Sequence, residues 1–139
     1  HLGLLAAIRG LVRELRAEHG LETELAVTGK VSRLPPECEL ALFRIAQEAL
    51  NNVRQHAGAA RASVRLAFGP GSLRMTIQDD GCGFAVPRRM DDLLAAGKLG
   101  LAGMEERVRA LGGTLSVRSE PGRGTTVCAT MPLGSRLME

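Results

Sequence analysis

Residues 43–57, FRIAQEALNNVRQHA, have the composition of a helix, but three polar side chains interrupt its apolar pattern. Glu48, Asn52 and His56 follow one another at intervals of four residues. On a helix they form a stripe that drifts about 40° per step, on a different face from Leu50. Such spacing is typical of a solvent-facing polar stripe, so a chemical role for it depends on what the rest of the chain adds.

Three helices are predicted from apolar periodicity and from helix-end signals. Residues 2–18 repeat apolar side chains at helical spacing and stop before a glycine. The stretch quoted above belongs to a helix over about residues 36–57, which starts at a proline pair and carries Glu37 and Glu39 where the helix dipole favours acids. GLAGMEERVRALGG, residues 100–113, forms the third helix, closed by its last two glycines.

Five strands are predicted from the alternation of apolar and polar residues. Residues 21–29 form the first, which ends on a glycine, and residues 62–68 and 72–79 form a hairpin around a Gly-Pro-Gly turn. Residues 114–133 contain two more strands around a Glu-Pro-Gly turn. Residues 84–99 follow no period, and a loop of this length inside a compact domain is usually functional.

The composition is that of one globular domain and excludes several kinds of function. The chain has 139 residues, 45% hydrophobic and 24% charged, and no apolar run approaches the roughly 20 residues of a membrane span. Trp and Tyr are absent, so aromatic platforms for single-stranded nucleic acid cannot form. A net charge of +3 is weak support for a polyanion partner, and we expect no direct contact with nucleic acid.

The cysteines and the first residue bear on location. Cys38, Cys82 and Cys128 are far apart and lack C-x-x-C spacing, which argues against a disulfide framework and a zinc site. We expect a reducing, cytoplasmic location. The chain begins with His and has no signal-peptide pattern, so we expect a piece of a longer protein, whose other parts can include a membrane anchor.

Three glycine clusters lie where predicted strands and helices meet. In DDGCGF, Gly81 and Gly83 would admit a flat ligand while Asp79 accepts hydrogen bonds from an exocyclic amine, with a simple tight turn as the alternative. GKLGLAGM, residues 97–104, precedes a helix and either offers backbone N–H groups to a phosphate chain or is only a glycine-rich linker. In GRGTT, Thr125 either offers its hydroxyl to a ligand or an ordered water, or simply continues a hairpin.

These clusters suggest a chemical role for the polar stripe. An amide oxygen is a hard ligand of the kind that Mg²⁺ takes together with waters and phosphate oxygens. We therefore predict that Asn52 binds Mg²⁺. Glu48 would orient or deprotonate a group near the γ-phosphate of a nucleotide, or hold the metal through a water.

Four motifs carry a family resemblance. FRIAQEALNNVRQHA, DDGCGF, GLAGMEER and GRGTTV resemble the N box, G1 box, G2 box and terminal G-x-G-T of the ATP-binding catalytic domain of bacterial sensor histidine kinases. QEALNN with the following His-Ala, and G-L-x-G-M-x-E-R, resemble the nitrate-sensor-like subfamily. The similarity covers about residues 20–134. It implies the α+β fold of the gyrase, Hsp90, histidine kinase and MutL ATPases, a two-layer α/β sandwich with a mixed, mainly antiparallel sheet, helices on one face and an ATP lid.

The resemblance also implies a site. Asn52 is similar to the Mg²⁺-binding asparagine of the family, Glu48 to the acid one turn before it, and His56 to a histidine near the phosphates or ribose. Asp79 matches the carboxylate that accepts the adenine amine, and Thr125 matches the threonine behind the adenine. The implied catalytic residues are Glu48, Asn52 and His56, and the implied ATP-binding residues are Asn52, His56, Asp79, Gly81, Gly83, Lys98, Gly100, Leu101, Gly103, Met104 and Thr125.

The implied function is to bind Mg²⁺-ATP and donate its γ-phosphate to a histidine on a separate dimerisation domain, for relay to a response regulator with a helix-turn-helix output. Residues 1–19 are expected to be the connector helix from that domain, and residues 20–139 the ATP-binding catalytic domain. The chain would be an ATP-dependent protein histidine kinase that does not autophosphorylate alone. We expect the fragment to be a monomer and the parent protein a homodimer.

One departure from the family pattern leaves alternatives open. Many members have Lys three residues after the asparagine, where this chain has Gln55, so Arg54 or Lys98 would have to supply a cation for the phosphates. The alternatives are a same-fold ATPase, a serine kinase of the anti-sigma-factor type, and a degenerate, non-catalytic module.

Overall fold

The structure is a computed structural model, and it describes residues 3–56, 61–81 and 103–133. The elements are α1 (Gly3–His19), β1 (Glu22–Gly29), α2 (Pro36–His56), β2 (Arg61–Phe68), β3 (Ser72–Asp79), α3 (Met104–Ala110), β4 (Thr114–Ser119) and β5 (Thr125–Pro132). The ends of α1, α2 and the strands agree with the prediction to within about two residues, while α3 is shorter than the predicted third helix.

The five strands form one sheet in the order β1-β2-β3-β5-β4. Strands β1 and β2 are parallel, because α2 lies between them in the sequence and returns the chain to the same end of the sheet. The other neighbouring pairs are antiparallel, and two of them are hairpins with short turns. The predicted mixed, mainly antiparallel sheet is confirmed.

One face of the sheet is covered by helices and the other is polar. In β2 and β3 the buried side chains alternate with exposed or half-exposed ones, as a sheet with a single covered face requires. The covered face carries Val64, Leu66 and Met75, all fully buried, whereas the opposite face carries Arg65 and Arg74. The predicted two-layer α/β sandwich of the α+β class is confirmed.

Helix α2 is the centre of the helical layer. It packs on β3 and β5 and contacts both α1 and α3. Leu42, Ile45 and Leu50 are fully buried on its inner side, which sets the rotation of the helix about its axis. Glu48 and Asn52 therefore lie at the margin of the buried face, each partly exposed. In the part of the chain that the structure describes, no helix is long and apolar enough to cross a membrane.

The loop between β1 and α2 is held by a buried carboxylate. Glu39 lies in the first turn of α2, where the helix dipole favours acids, and it is only 4% exposed. Its Oε2 accepts hydrogen bonds from Nε of Arg33 at 3.0 Å and from the backbone N–H of Leu34 at 3.1 Å. Its Oε1 accepts a hydrogen bond from Nη2 of Arg33 at 3.2 Å. These three hydrogen bonds attach the loop to α2.

Candidate functional site

The carboxylate at the end of β3 is buried and held by backbone groups. Asp79 is 7% exposed, its Oδ1 accepts the N–H of Gly81 at 2.7 Å, and the carboxyl group also accepts the backbone N–H of Thr125. Burial raises the pKa of the Asp79 carboxyl above its ordinary value, because burial outweighs the opposing effect of these two hydrogen bonds. A further donor from a ligand would therefore stabilise the ionised form.

The turn that follows Asp79 is anchored to the neighbouring strand. Asp80 accepts the backbone N–H of Arg61 through Oδ1 at 3.0 Å, and its own N–H donates to the carbonyl of Arg61 at 3.2 Å. Gly81 is buried beside Asp79. These hydrogen bonds fix the backbone at Asp80 and so help to hold the Asp79 carboxylate in place.

Thr125 lies against the same carboxylate from the start of β5. Its Oγ1 is 2.9 Å from Oγ of Ser119, whose hydroxyl donates to the carbonyl of Gly124 at 3.1 Å. Because Ser119 has one proton and Gly124 accepts it, the proton between the two hydroxyls belongs to Thr125. The Thr125 oxygen therefore keeps acceptor capacity for a ligand or a water.

Gly124 brings the β4–β5 turn into direct contact with β3. Its φ is +78°, and a Cβ atom at this position would lie 2.1 Å from the carbonyl oxygen of Asp79. Only glycine allows this approach. The contact explains why the GRGTT motif and the DDGCGF motif, which are remote in the sequence, meet in the structure.

The polar stripe lies on a helix that contacts the two strands to which Asp79 and Thr125 belong. Glu48 and Asn52 belong to α2, which contacts β3 and β5, the strands of Asp79 and Thr125. Arg54, one of the two candidate replacements for the missing Lys, is exposed and its Nη2 donates to Oδ1 of Asn51 at 2.7 Å. His56 is the last residue of α2, and its side chain lies outside the part of the structure that is described.

Gly103 and Met104 lie beside the first half of α2. Gly103 has a φ of +89° and immediately precedes α3, and Met104 is partly buried against the core. A cavity of about 400 Å³ lies between α2 and α3, and it is lined by Glu37, Leu40, Ala41, Arg44, Gly103, Met104 and Arg107. Arg44 is one turn before Glu48, so this cavity continues the side of α2 that carries the polar stripe.

Several predicted site residues cannot be placed, and some contacts were not predicted. Gly83, Lys98, Gly100 and Leu101 lie outside the described residues.

Ser119 and Gly124 support Thr125 and Asp79 but were not singled out as individual residues. The length of the β4–β5 turn was the available signal, because it places Ser119 opposite Thr125.

The chain is similar to sensor histidine kinases along nearly its whole length. It is 40% identical over 131 residues to the sensor histidine kinase MctS of Rhizobium johnstonii, a match that covers 94% of this chain and 28% of MctS. It is 35% identical over 132 residues to the signal transduction histidine-protein kinase/phosphatase DegS of Brevibacillus brevis, covering 95% of this chain and 33% of DegS. The chain therefore spans a third or less of the length of these relatives.

Solved histidine kinases share the fold. The histidine kinase domain of the blue-light-activated histidine kinase of Erythrobacter litoralis EL346 aligns with a TM-score of 0.70 at 28% identity, over 94% of this chain and 65% of that chain. The histidine kinase AdeS of Acinetobacter baumannii aligns with a TM-score of 0.72 over 96% of this chain and 66% of that chain; at 16% identity, this match supports the fold alone.

The family model described as histidine kinase-, DNA gyrase B-, and HSP90-like ATPase matches residues 37–135. This range contains all four motifs that carried the resemblance, from the α2 stripe to GRGTTV. The predicted relationship to the ATP-binding domain of sensor histidine kinases is confirmed. By these matches, the chain belongs to the family of histidine kinase-, DNA gyrase B- and HSP90-like ATPases, whose common property is nucleotide binding.

Proposed function

We propose that this chain is the ATP-binding catalytic domain of a sensor histidine kinase. It would hold Mg²⁺-ATP and present the γ-phosphate to a histidine on a dimerisation domain elsewhere in the parent protein, for relay to a response regulator with a helix-turn-helix output. The observation that carries the proposal is the buried carboxylate of Asp79, held between Gly81 and Thr125.

Asp79 would select adenine among the purine bases. Its carboxylate can accept the exocyclic amine of adenine, whereas guanine has a carbonyl oxygen at the corresponding position and would face the carboxylate with a second acceptor. The mismatch is unfavourable because both groups would lose their hydration in a buried site. We therefore expect ATP to bind at least tenfold more tightly than GTP, in line with the roughly 1.4 kcal/mol that a tenfold difference represents.

Glu48 and Asn52 would hold Mg²⁺. They are one helical turn apart, both partly exposed, and they offer a carboxylate and an amide oxygen, the hard donors that Mg²⁺ takes alongside waters and phosphate oxygens. The ion would supply neutralisation of phosphate charge when bound. Because phosphoryl transfer depends mainly on positioning and charge stabilisation, these residues contribute by fixing where the phosphates lie.

The phosphoacceptor histidine is proposed to lie outside this chain, with α1 as the connector and residues 20–139 as the catalytic domain. We expect the isolated chain to bind nucleotide as a monomer without phosphorylating itself. His56 and the unplaced Lys98, Gly100 and Leu101 remain proposed contacts to the phosphates or ribose.

The proposal is tested by isothermal titration of residues 1–139 with a non-hydrolysable ATP analogue, with and without Mg²⁺. Asp79→Asn should abolish binding, because the amide no longer offers the same pair of acceptors. Asp80→Asn is the matched control, because the amide oxygen can still accept the N–H of Arg61 and Asp80 is exposed, and it should leave binding within about twofold of the parent.

A second pair of variants tests the metal assignment. Asn52→Ala should remove the Mg²⁺ dependence of binding, whereas Asn51→Ala, one position earlier on the same helix, should preserve it. If the parent chain binds no nucleotide at high micromolar concentration, the proposal is wrong and the non-catalytic alternative gains support.

A further inference from the structure

The charges of α1 are separated onto two flanks of the helix. At 3.6 residues per turn, Arg9, Arg13 and Arg16 fall within an arc of roughly 60°, and Glu14 and Glu18 lie roughly 150° away from them. The three arginines are exposed. No carboxylate in residues 3–56, 61–81 and 103–133 forms an ion pair with any of the three. The arginine flank therefore presents unneutralised positive charge.

This arginine flank borders a groove against the edge of the sheet. The groove has a volume of about 500 Å³ and is lined by Arg9, Val12, Arg13, Arg16, Ala17 and Leu25. Leu25 and Val27, the inward-facing residues in the second half of β1, are only partly buried, whereas the corresponding residues of β2 are buried throughout. The groove thus has an apolar floor and a cationic rim.

Among the described residues, the strand beside the groove has a free edge. Within residues 3–56, 61–81 and 103–133, β1 is the first strand of the sheet and pairs with β2 alone. Apart from that ladder, none of the backbone hydrogen bonds found among the described residues involves Glu22–Gly29. Half of the backbone N–H and C=O groups of an edge strand point away from its neighbour, which makes them available to an added strand.

We propose that an extended acidic segment of a protein partner adds to the free edge of β1, with its carboxylates paired to Arg9, Arg13 and Arg16. Backbone hydrogen bonds would give the segment its register, and the arginines would select its charge. This inference does not depend on nucleotide binding, so it can fail or succeed separately from the proposed function.

The surroundings of β1 also determine at which positions the bound segment can carry acidic residues. On the open face of the sheet, Glu22 is paired with Arg61 at 3.5 Å, while the exposed carboxylate of Glu24 would repel carboxylates on that side. Acidic side chains should therefore occur at alternate positions, all facing the helices. The arginines span about 10 Å along α1, comparable to two or three alternate strand residues spaced about 6.8 Å apart.

The test uses a fluorescein-labelled peptide of alternating Thr and Glu, seven residues long, titrated with residues 1–139 at low salt and followed by fluorescence anisotropy. We expect saturable binding that weakens as salt rises, because exposed charges are screened. A peptide with Lys in place of Glu should not bind. If both peptides bind equally, or neither binds, the inference is wrong.

Matched variants locate the binding surface. The double variant Arg13→Gln/Arg16→Gln should weaken peptide binding about tenfold, a change that two exposed ion pairs can account for. Arg65→Gln/Arg74→Gln removes the same charge from the open face of the sheet and should have little effect. Equal losses in both double variants would show a nonspecific response to net charge and would overturn the assignment.

Two further probes distinguish strand addition from other modes of binding. In an added strand only alternate residues turn their N–H groups to β1, so N-methylation of either the Thr or the Glu set should abolish binding while the other set is tolerated. Tolerance of both sets would contradict strand addition. If a single-stranded oligonucleotide binds through the same arginines more tightly than the peptide does, the partner is a nucleic acid and the inference is overturned.

Discussion

Glu39 and Asp79, two of the three buried carboxylates among the described residues, have different partners. Glu39 is paired with the guanidinium of Arg33, which compensates its charge within the protein. Asp79 is held by the backbone N–H groups of Gly81 and Thr125, and among the described residues no cation pairs with it. Glu39 therefore stabilises the fold, whereas the negative charge of Asp79 can still be stabilised by a hydrogen-bond donor from a ligand.

The raised pKa of Asp79 predicts a specific dependence of stability on pH. The folded state holds the proton more tightly than the unfolded state does, so the contribution of Asp79 to stability is complete below the unfolded pKa and is lost as pH rises through the folded pKa. As pH rises through this acidic range, the unfolding free energy of the parent chain should fall relative to that of Asp79→Asn. Urea unfolding of both proteins between about pH 3 and pH 7 measures the difference, which should stay constant if the pKa is not raised.

Removal of the Glu39 carboxylate should destabilise the fold without affecting nucleotide selectivity. Glu39→Ala deletes three hydrogen bonds in a buried position and leaves the N–H of Leu34 without its acceptor, so we expect a loss of about 2 kcal/mol in unfolding free energy. Glu37→Ala, two positions earlier and exposed, is the control and should change stability by less than about 0.5 kcal/mol. Equal effects would show that the helix dipole dominates at both positions.

At the scale of elements, the β4–β5 turn is the part of the site most sensitive to a small change. Gly122 and Gly124 both have positive φ, but a Cβ at Gly122 would meet nothing within 4 Å, whereas one at Gly124 would collide with the carbonyl of Asp79. We expect Gly122→Ala to lose about 1 kcal/mol from backbone strain and Gly124→Ala to lose several kcal/mol. Only Gly124→Ala should also abolish nucleotide binding, as titration calorimetry of the two variants would show.

Helix α2 and the hairpins could be predicted from local patterns. Pro36 begins α2 because a proline fits the first helical position, and the strand ends follow Gly-Pro-Gly and Glu-Pro-Gly turns. The burial of Glu39 could not be predicted, since its partner Arg33 lies across a loop that has no periodic signal. The contact between Gly124 and Asp79 could not be predicted either, because it depends on how β3 and β5 pair.

The residue types of the candidate site could be predicted from the sequence, but the hydrogen bonds between these residues could not. The residue types at Asp79, Gly81 and Thr125 indicated nucleotide chemistry, and the family resemblance gave them roles. Their mutual hydrogen bonds, and the support from Ser119, required the sheet order. Side-chain chemistry is a property of the sequence, whereas proximity between remote strands is a property of the packed core.

At the scale of the whole molecule, nucleotide binding should stabilise the fold measurably. At a free nucleotide concentration 100 times the dissociation constant, binding adds about 2.7 kcal/mol to the unfolding free energy. For a domain of this size that corresponds to a rise of roughly 8 °C in Tm. Scanning calorimetry with Mg²⁺ and the ATP analogue should show this rise for the parent chain, and no rise for Asp79→Asn. An equal rise with GTP would contradict the assignment of Asp79 to the base.

The strand order also has a kinetic consequence. Four of the five strands form two local hairpins, β2–β3 and β4–β5, which meet along the β3–β5 pair, where Gln78 lies opposite Thr126. Hairpins close short loops and form early, whereas the β3–β5 seam must wait for a distant part of the chain to arrive. Asp79 and Thr125 lie on opposite sides of that seam. A nucleotide bound there would tie together the two halves that join last, so we expect it to slow unfolding far more than it speeds folding.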